Sequence, residues 1–119
     1  MTNRQRLTKS CDDLWSKTIK LKAKGLCQII GCKKSGAHAH HIARRGGAVR
    51  WLPENGIYLC AFHHNHDKET WMNWAIMGVV GITKFEELEA LSRQTYQHKE
   101  YEIEEVKVSL KQELKRIKT

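Results

Sequence analysis

Residues 27–66, CQIIGCKKSGAHAHHIARRGGAVRWLPENGIYLCAFHHNH, decide how this chain is read. Three of the chain's four cysteines and six of its seven histidines fall in or immediately around this stretch. Cys27 and Cys32 form a C-x4-C pair, and Cys60 and His63 form a C-x2-H pair. Two such pairs, separated by a loop, match a tetrahedral structural zinc site. Gly31 lies just inside the first pair, where a knuckle-like turn is needed. If the second pair opens a helix, Cys60 and His63 are three residues apart and share a face. His66, three residues after His63, is the alternative fourth ligand; the C-x2-H spacing favours His63.

These four ligands satisfy one ion and leave His38, His40, His41, Asn55, His64 and His66 over. On a helix, His64 is turned about 100° from His63, so the two can face different sites. His40 and His41 pose the reverse problem. On a regular strand they point to opposite faces, and both serve one site only at a strand end or a bulge. Gly46 and Gly47 shortly afterwards suggest such an irregular exit.

Outward from this stretch the chain is helical on both sides. Residues 10–24 read as a helix, with Ser10 as cap, Asp12 and Asp13 in the first turn and Gly25 as the stop. Cys11, Leu14, Trp15 and Ile19 recur along it at helical spacing and predict its buried stripe. The core region, 26–68, carries Gly pairs and short strand-like pieces such as Gly56 to Leu59. Residues 69–119 read as helical again, with Trp71, Trp74, Ile76 and Met77 as expected core. Ile103, Val106, Leu110, Leu114 and Ile117 mark one apolar stripe on a charged terminal helix. That stripe has two readings: it docks on its own domain, or it is the seam of a homodimer or a DNA-facing arm. The chain as a whole is expected to be a single α+β domain.

The chain has 119 residues, with 21 Lys+Arg against 13 Asp+Glu, a net charge of +8. A domain of this size buries a modest core, so a metal staple would help it. The positive balance favours a polyanionic partner, nucleic acid above all. The polar start, MTNRQRLTKSCDD, lacks an apolar signal region, and the stretch from Trp74 to Ile82 is too short to span a bilayer. A cytoplasmic protein with no membrane partner is therefore expected, and its cysteines read as metal ligands rather than disulfides. Cys11, inside the helical pattern, reads as a small buried hydrophobe. Arg44, Arg45 and Arg50 lie in the loop between the two halves and are candidates for phosphate contacts. Trp51 beside them is assigned to the core, in preference to insertion at a distorted DNA step.

His40-His41, then Asn55, then Leu59-Cys60-x-x-His63-His64 resembles the HNH pattern, and the interleaved cysteine pairs resemble its zinc-bound subgroup. Arg50-Trp51-x-x-Glu54-Asn55, Gly81-Ile82 and the charged terminal helix are similar to the NinG/Rap family of phage recombination endonucleases. The resemblance runs from about residue 14 onward. It departs where His64 stands for the usual Asn, and where His40 stands for an Asp common in zinc-bound members. The resemblance implies a ββα-metal core in a bacterial host cell, acting on DNA, including branched recombination intermediates. It implies a catalytic divalent ion (Mg2+, Mn2+ or Ni2+) held by His40 and His64, His41 as general base, and Asn55 as the residue that pins His41's loop. His38 and His66 are left as extra ligands or phosphate contacts. Two alternatives stand beside it: a nicking endonuclease acting on duplex DNA during phage packaging, and a non-catalytic zinc-stapled nucleic-acid-binding module.

Overall fold

The computed structural model describes residues 1–44 and 46–118. Its elements, in order, are α1 (Asn3–Lys22), β1 (His38–His41), β2 (Gly56–Leu59), α2 (Ala61–Asn65), α3 (Thr70–Val80), α4 (Ile82–Ser92) and α5 (Glu100–Lys118). Two short 3-10 turns, Gly47–Val49 and Pro53–Asn55, shape the loop between the strands. The protein is thus α+β, with five α-helices around a two-stranded antiparallel sheet among the described residues. None of these helices is long and apolar enough to cross a membrane.

The first helix begins at Asn3, seven residues before the expected start. Thr2 closes a capping box: its hydroxyl accepts from the Gln5 N–H, and the Gln5 side chain accepts from the Thr2 N–H. Ser10, Asp12 and Asp13 therefore sit in the helix interior, not at its cap. Asp13 pairs with Lys9 one turn back. At the other end, Lys24 N–H donates to Leu21 and Gly25 N–H to Lys20, the paired bonds of a Schellman stop. The left-handed residue the motif needs is Lys24, with φ 56°, and Gly25 follows it at φ 75°.

The sheet is the middle layer, and side-chain alternation sends its two faces into two cores. Ile57 and Leu59 of β2 join Cys27, Ile29, Ile42 and Val49 against Met72 and Ile76 of α3 and Phe85 and Leu88 of α4. Tyr58 points the other way, into a second core with Leu7, Cys11, Trp15 and Ile19 of α1, Trp51, and Ile103 and Leu110 of α5. The predicted stripe of the first helix is therefore the α1 side of that core, with Leu14 at its margin.

Of the two readings of the terminal stripe, the structure takes the first. Ile103, Leu110 and Leu114 of α5 are buried and Val106 packs on the second core, against α1 of the same chain. The two helices start at the same end: Asn3 hydrogen-bonds Glu100, and the Cys11 thiol donates to the Ile103 carbonyl. In α3, Met72 and Ile76 hold the core face, one turn apart. Trp71 and Trp74, expected in the core, are instead 43% and 67% exposed, because only one narrow side of the helix meets the sheet.

Gly56 opens β2 opposite His41 and lies under α1. A Cβ there would overlap the Ile19 side chain and come within 2.9 Å of Trp15 Cζ2. Gly56→Ala is expected to lift α1 from the sheet and cost about 1–3 kcal/mol, as overpacking does. Urea unfolding checks this, and an unchanged midpoint would show that α1 is not seated on the sheet as described.

Candidate functional site

The first cluster stands on a hairpin and a helix start. Leu26 bridges Ser35, and Cys27 N–H donates to the Lys34 carbonyl, so the chain reverses through Gly31, whose φ is 84°. Gln28 fixes this knuckle to the sheet by donating its N–H to the Tyr58 carbonyl while its side chain accepts from the Tyr58 N–H. Cys60 is the cap residue of α2, and His63 lies one turn on.

The result is that Cys27, Cys32, Cys60 and His63 present their ligand atoms within 4.8 Å of one another. His63 Nδ1 is 3.5 Å from the Cys27 sulfur and 3.2 Å from the Cys60 sulfur, and the Cys32 and Cys60 sulfurs are 4.0 Å apart. With Zn–S of about 2.3 Å and Zn–N of about 2.0–2.1 Å, a tetrahedron has edges of about 3.5–3.8 Å. The donor set and its spacing fit a structural zinc. His66 does not compete: its Nδ1 donates to the Phe62 carbonyl at 2.7 Å and its ring lies against Phe62.

The acid–base character of the thiols suits a cation. Burial pushes the Cys60 thiol up, but hydrogen bonds from the His63 backbone and ring and from Cys27 and Cys32 outweigh it. The net effect takes Cys60 from 9.0 down to about 6. Burial pushes Cys27 up. Cys11, buried far from this cluster, is raised to about 11, chiefly by burial with Asp12 adding to it. It is the inert thiol the helical pattern predicts.

A second cluster lies on the α2 side of β1. His40, His64 and Asp67 bring their ligand atoms within 4.8 Å of one another. His40 Nδ1 is 3.9 Å from the Asp67 carboxylate, and the His38 ring stacks on His64 at 4.1 Å. Burial, with help from His64, holds His40 below its usual range against the pull of Asp67. His63 and His64 thus divide between the two clusters, as their helical offset predicts. Asp67 is the member that the sequence reading missed, although its position three after His64 was a usable signal.

His41 is not in this cluster. The strands pair in regular register up to His41 opposite Gly56, so no bulge turns it to the His40 side. It occupies the strand end, but its ring lies flat on Trp15, centroids 3.9 Å apart and planes 7° apart. Its Nε2 donates to the Arg50 carbonyl at 2.9 Å. Trp15 is itself fixed by donating to the Leu52 carbonyl at 2.8 Å.

Asn55 is fully buried and ties the loop that carries these carbonyls. Its Oδ1 accepts from the Ala43 N–H at 2.8 Å, and its Nδ2 donates to the Val49 carbonyl at 3.1 Å and the Ala43 carbonyl at 3.4 Å. Arg50 is paired within the chain. Its guanidinium forms a fork with Asp12 at 2.8 and 3.0 Å, and Trp51 Nε1 donates to the same carboxylate at 2.8 Å. Trp51 is buried, as assigned. Arg44 is exposed beside Arg93 and Glu89 of α4 and the loop after it, whereas Arg45 lies outside the described residues.

No protein family, curated protein or solved structure matches this chain, so its site is read from its own geometry.

Two outcomes follow from this geometry. Zinc is expected to bind one ion per chain, and its removal to abolish cooperative melting, since structural zinc contributes on the order of 10 kcal/mol in small domains. Below 9.0 the pH dependence is set by the lowered groups. Between about 6 and 9.0 the denatured Cys60 binds a proton that the folded thiolate does not. Below the usual His range the denatured His40 does the same. In the zinc-loaded protein the same protons compete with the ion for the thiolates, so stability falls as pH drops from 9.0 through about 6, and a melting temperature flat across that window would contradict the thiolate cluster. Separately, Asn55→Ala leaves loop groups buried without partners and is expected to cost about 2–4 kcal/mol in chemical denaturation.

Proposed function

We propose that this chain is a metal-dependent DNA endonuclease with an HNH-type ββα-metal core. The observation that carries this reading is the order strand, pinned loop, strand, helix, with metal-ligand chemistry on one side of β1 and an oriented histidine at its end. The zinc cluster would hold the helix against the strands. Branched recombination intermediates in a phage or prophage setting are the substrates suggested by the resemblance of the chain to the NinG/Rap family.

In this reading His40, His64 and Asp67 hold the catalytic divalent ion. When bound, such an ion stabilises charge on the scissile phosphate and the leaving 3′ oxygen. Two imidazoles and one carboxylate suit Mn2+ or Ni2+ better than Mg2+. His41 takes the proton of the attacking water. The Arg50 carbonyl can only accept, so it fixes the tautomer with hydrogen on Nε2 and leaves Nδ1 the basic nitrogen of the neutral ring. As Nδ1 takes up the proton, the same carbonyl stabilises the imidazolium. Trp15 holds the ring plane, and Asn55 positions the loop from which Arg50 presents its carbonyl. Asn55 and Trp15 are positioning residues.

One observation favours the binding-only module. The His41 ring faces α1, across the strand from His40, so a phosphate must pass the end or edge of β1 to meet both. A cleavage assay separates the readings. A four-way junction, a flap and a linear duplex would each be incubated with Mg2+, Mn2+ or Ni2+ and wild type, His41→Ala or His64→Ala. Wild type is expected to cut, and His41→Ala to bind but lose about 10²–10⁴-fold in rate, the usual contribution of a general base. The preferred substrate then decides between resolution of branches and nicking of duplex. A wild type that binds DNA and cuts none of the three under any metal would sink the catalytic reading in favour of the module.

A further inference from the structure

A groove of about 390 Å³ runs beside β1, between α1 and α2. Ser16, Lys17 and Lys20 of α1 form one wall, His38 and His64 stand on the other side, and Tyr58 is among the lining residues. No carboxylate lines it. Asp13, one turn before Lys17, is paired with Lys9, and Asp67 is turned to His40. Lys17 and Lys20 are exposed and share a helix face, their Cβ atoms about 5–6 Å apart by helical geometry. Arg50 of the inter-strand loop offers no equivalent charge, since its guanidinium is committed to Asp12.

We propose that this groove is the track of a DNA strand, with Lys17 and Lys20 binding successive phosphates and delivering the next one to His38 and His64. This deepens the nuclease reading and rests on it for the choice of DNA. The groove also answers the two-sidedness of β1. Its lysine wall belongs to the helix that packs on the His41 face, whereas His38 and His64 belong to the His40 face. A strand lying in it passes along β1 with one face on each side. Lysine suits the role because it contacts phosphate as a flexible point charge without reading sequence.

The test is binding without any added divalent ion, by fluorescence anisotropy of a labelled four-way junction and a linear duplex over a series of salt concentrations. Four proteins are compared: wild type, Lys17→Ala/Lys20→Ala, Lys17→Arg/Lys20→Arg, and Lys111→Ala/Lys118→Ala on α5, which removes the same charge elsewhere. Circular dichroism and zinc content establish that each is folded. The Lys17/Lys20 alanine pair is expected to bind about tenfold to a hundredfold more weakly, with the slope of log affinity against log salt reduced by about 1–2, since each phosphate contact contributes about 0.9. The arginine pair is expected to keep both, and the α5 pair to stay near wild type. An alanine pair that binds like wild type with the same slope overturns the groove, as does an α5 pair that loses as much. If wild type also cleaves in that case, the nuclease reading survives without the groove. If the alanine pair loses binding but wild type never cleaves, the groove stands and the nuclease reading falls. A wild type that binds no DNA overturns both.

Discussion

Three sulfurs and one imidazole nitrogen converge within 4.8 Å, and most of the candidate site hangs from that convergence. Cys27 and Cys32 come before β1, and Cys60 and His63 come after β2, so a shared cation would clamp both ends of the strand pair. The clamp matters most for α2. This helix has five residues and no side-chain hydrogen bond at its cap. Isolated, so short a helix would not persist in water. A zinc ion on Cys60 and His63 would hold its first turn instead. His64 and Asp67 project from that turn and the residues just after it, so the second cluster inherits its geometry from the first. The depressed Cys60 thiol fits the same logic, since a thiolate is a ready metal ligand.

The sheet contributes the second constraint, through a residue with no side chain. Because β1 and β2 pair regularly, alternation assigns His38 and His40 to the face of Ile57 and Leu59, and Ala39 and His41 to the face of Tyr58 and Gly56. A larger residue opposite His41 would hold Trp15 away. With Gly56 there, Trp15 and Ile19 settle onto the strands and the indole becomes a flat shelf for the imidazole. The histidine is thereby fixed in three ways: by its strand position, by the indole plane and by the Arg50 carbonyl.

The parts of this arrangement that depend on local spacing were legible in the sequence. The two ligand pairs, the split between His63 and His64 and the strand at Gly56–Leu59 all follow from residue type at short separation, while the pinning of the loop by Asn55 followed from the resemblance to the HNH pattern. What was not legible depends on which distant segments meet. Nothing at position 12 says that its carboxylate will hold both Arg50 and Trp51, 38 and 39 residues away. The same holds for Trp15 under His41. The helix start was misplaced because an Asp pair inside a helix imitates a first turn, while the true cap, Thr2 with Gln5, lay further upstream. Trp71 and Trp74 were placed in the core on hydrophobicity alone, although residues of that kind also remain exposed beside a narrow packing face.

Asp12 gives α1 a larger part than that of a packing helix. Arg50 serves two partners at once: its guanidinium is forked onto Asp12, and its carbonyl accepts from His41. The loop carbonyl that fixes the histidine tautomer is therefore anchored to α1 at Asp12, and the histidine ring is shelved on α1 at Trp15, less than one turn further along. Two and five residues beyond Trp15, the same helix presents Lys17 and Lys20 to the groove. Asp12, Trp15 and the lysines are fixed relative to one another by helix geometry, so they cannot shift independently. α5, packed along α1, stiffens that frame from behind. In the proposed enzyme, the strand track and the orientation of the base are therefore set by one rigid element, while two of the metal ligands, His64 and Asp67, are set by α2 and the turn after it, through the cysteine clamp. Alignment of the two across the four residues of β1 is then what brings water, phosphate and metal into register.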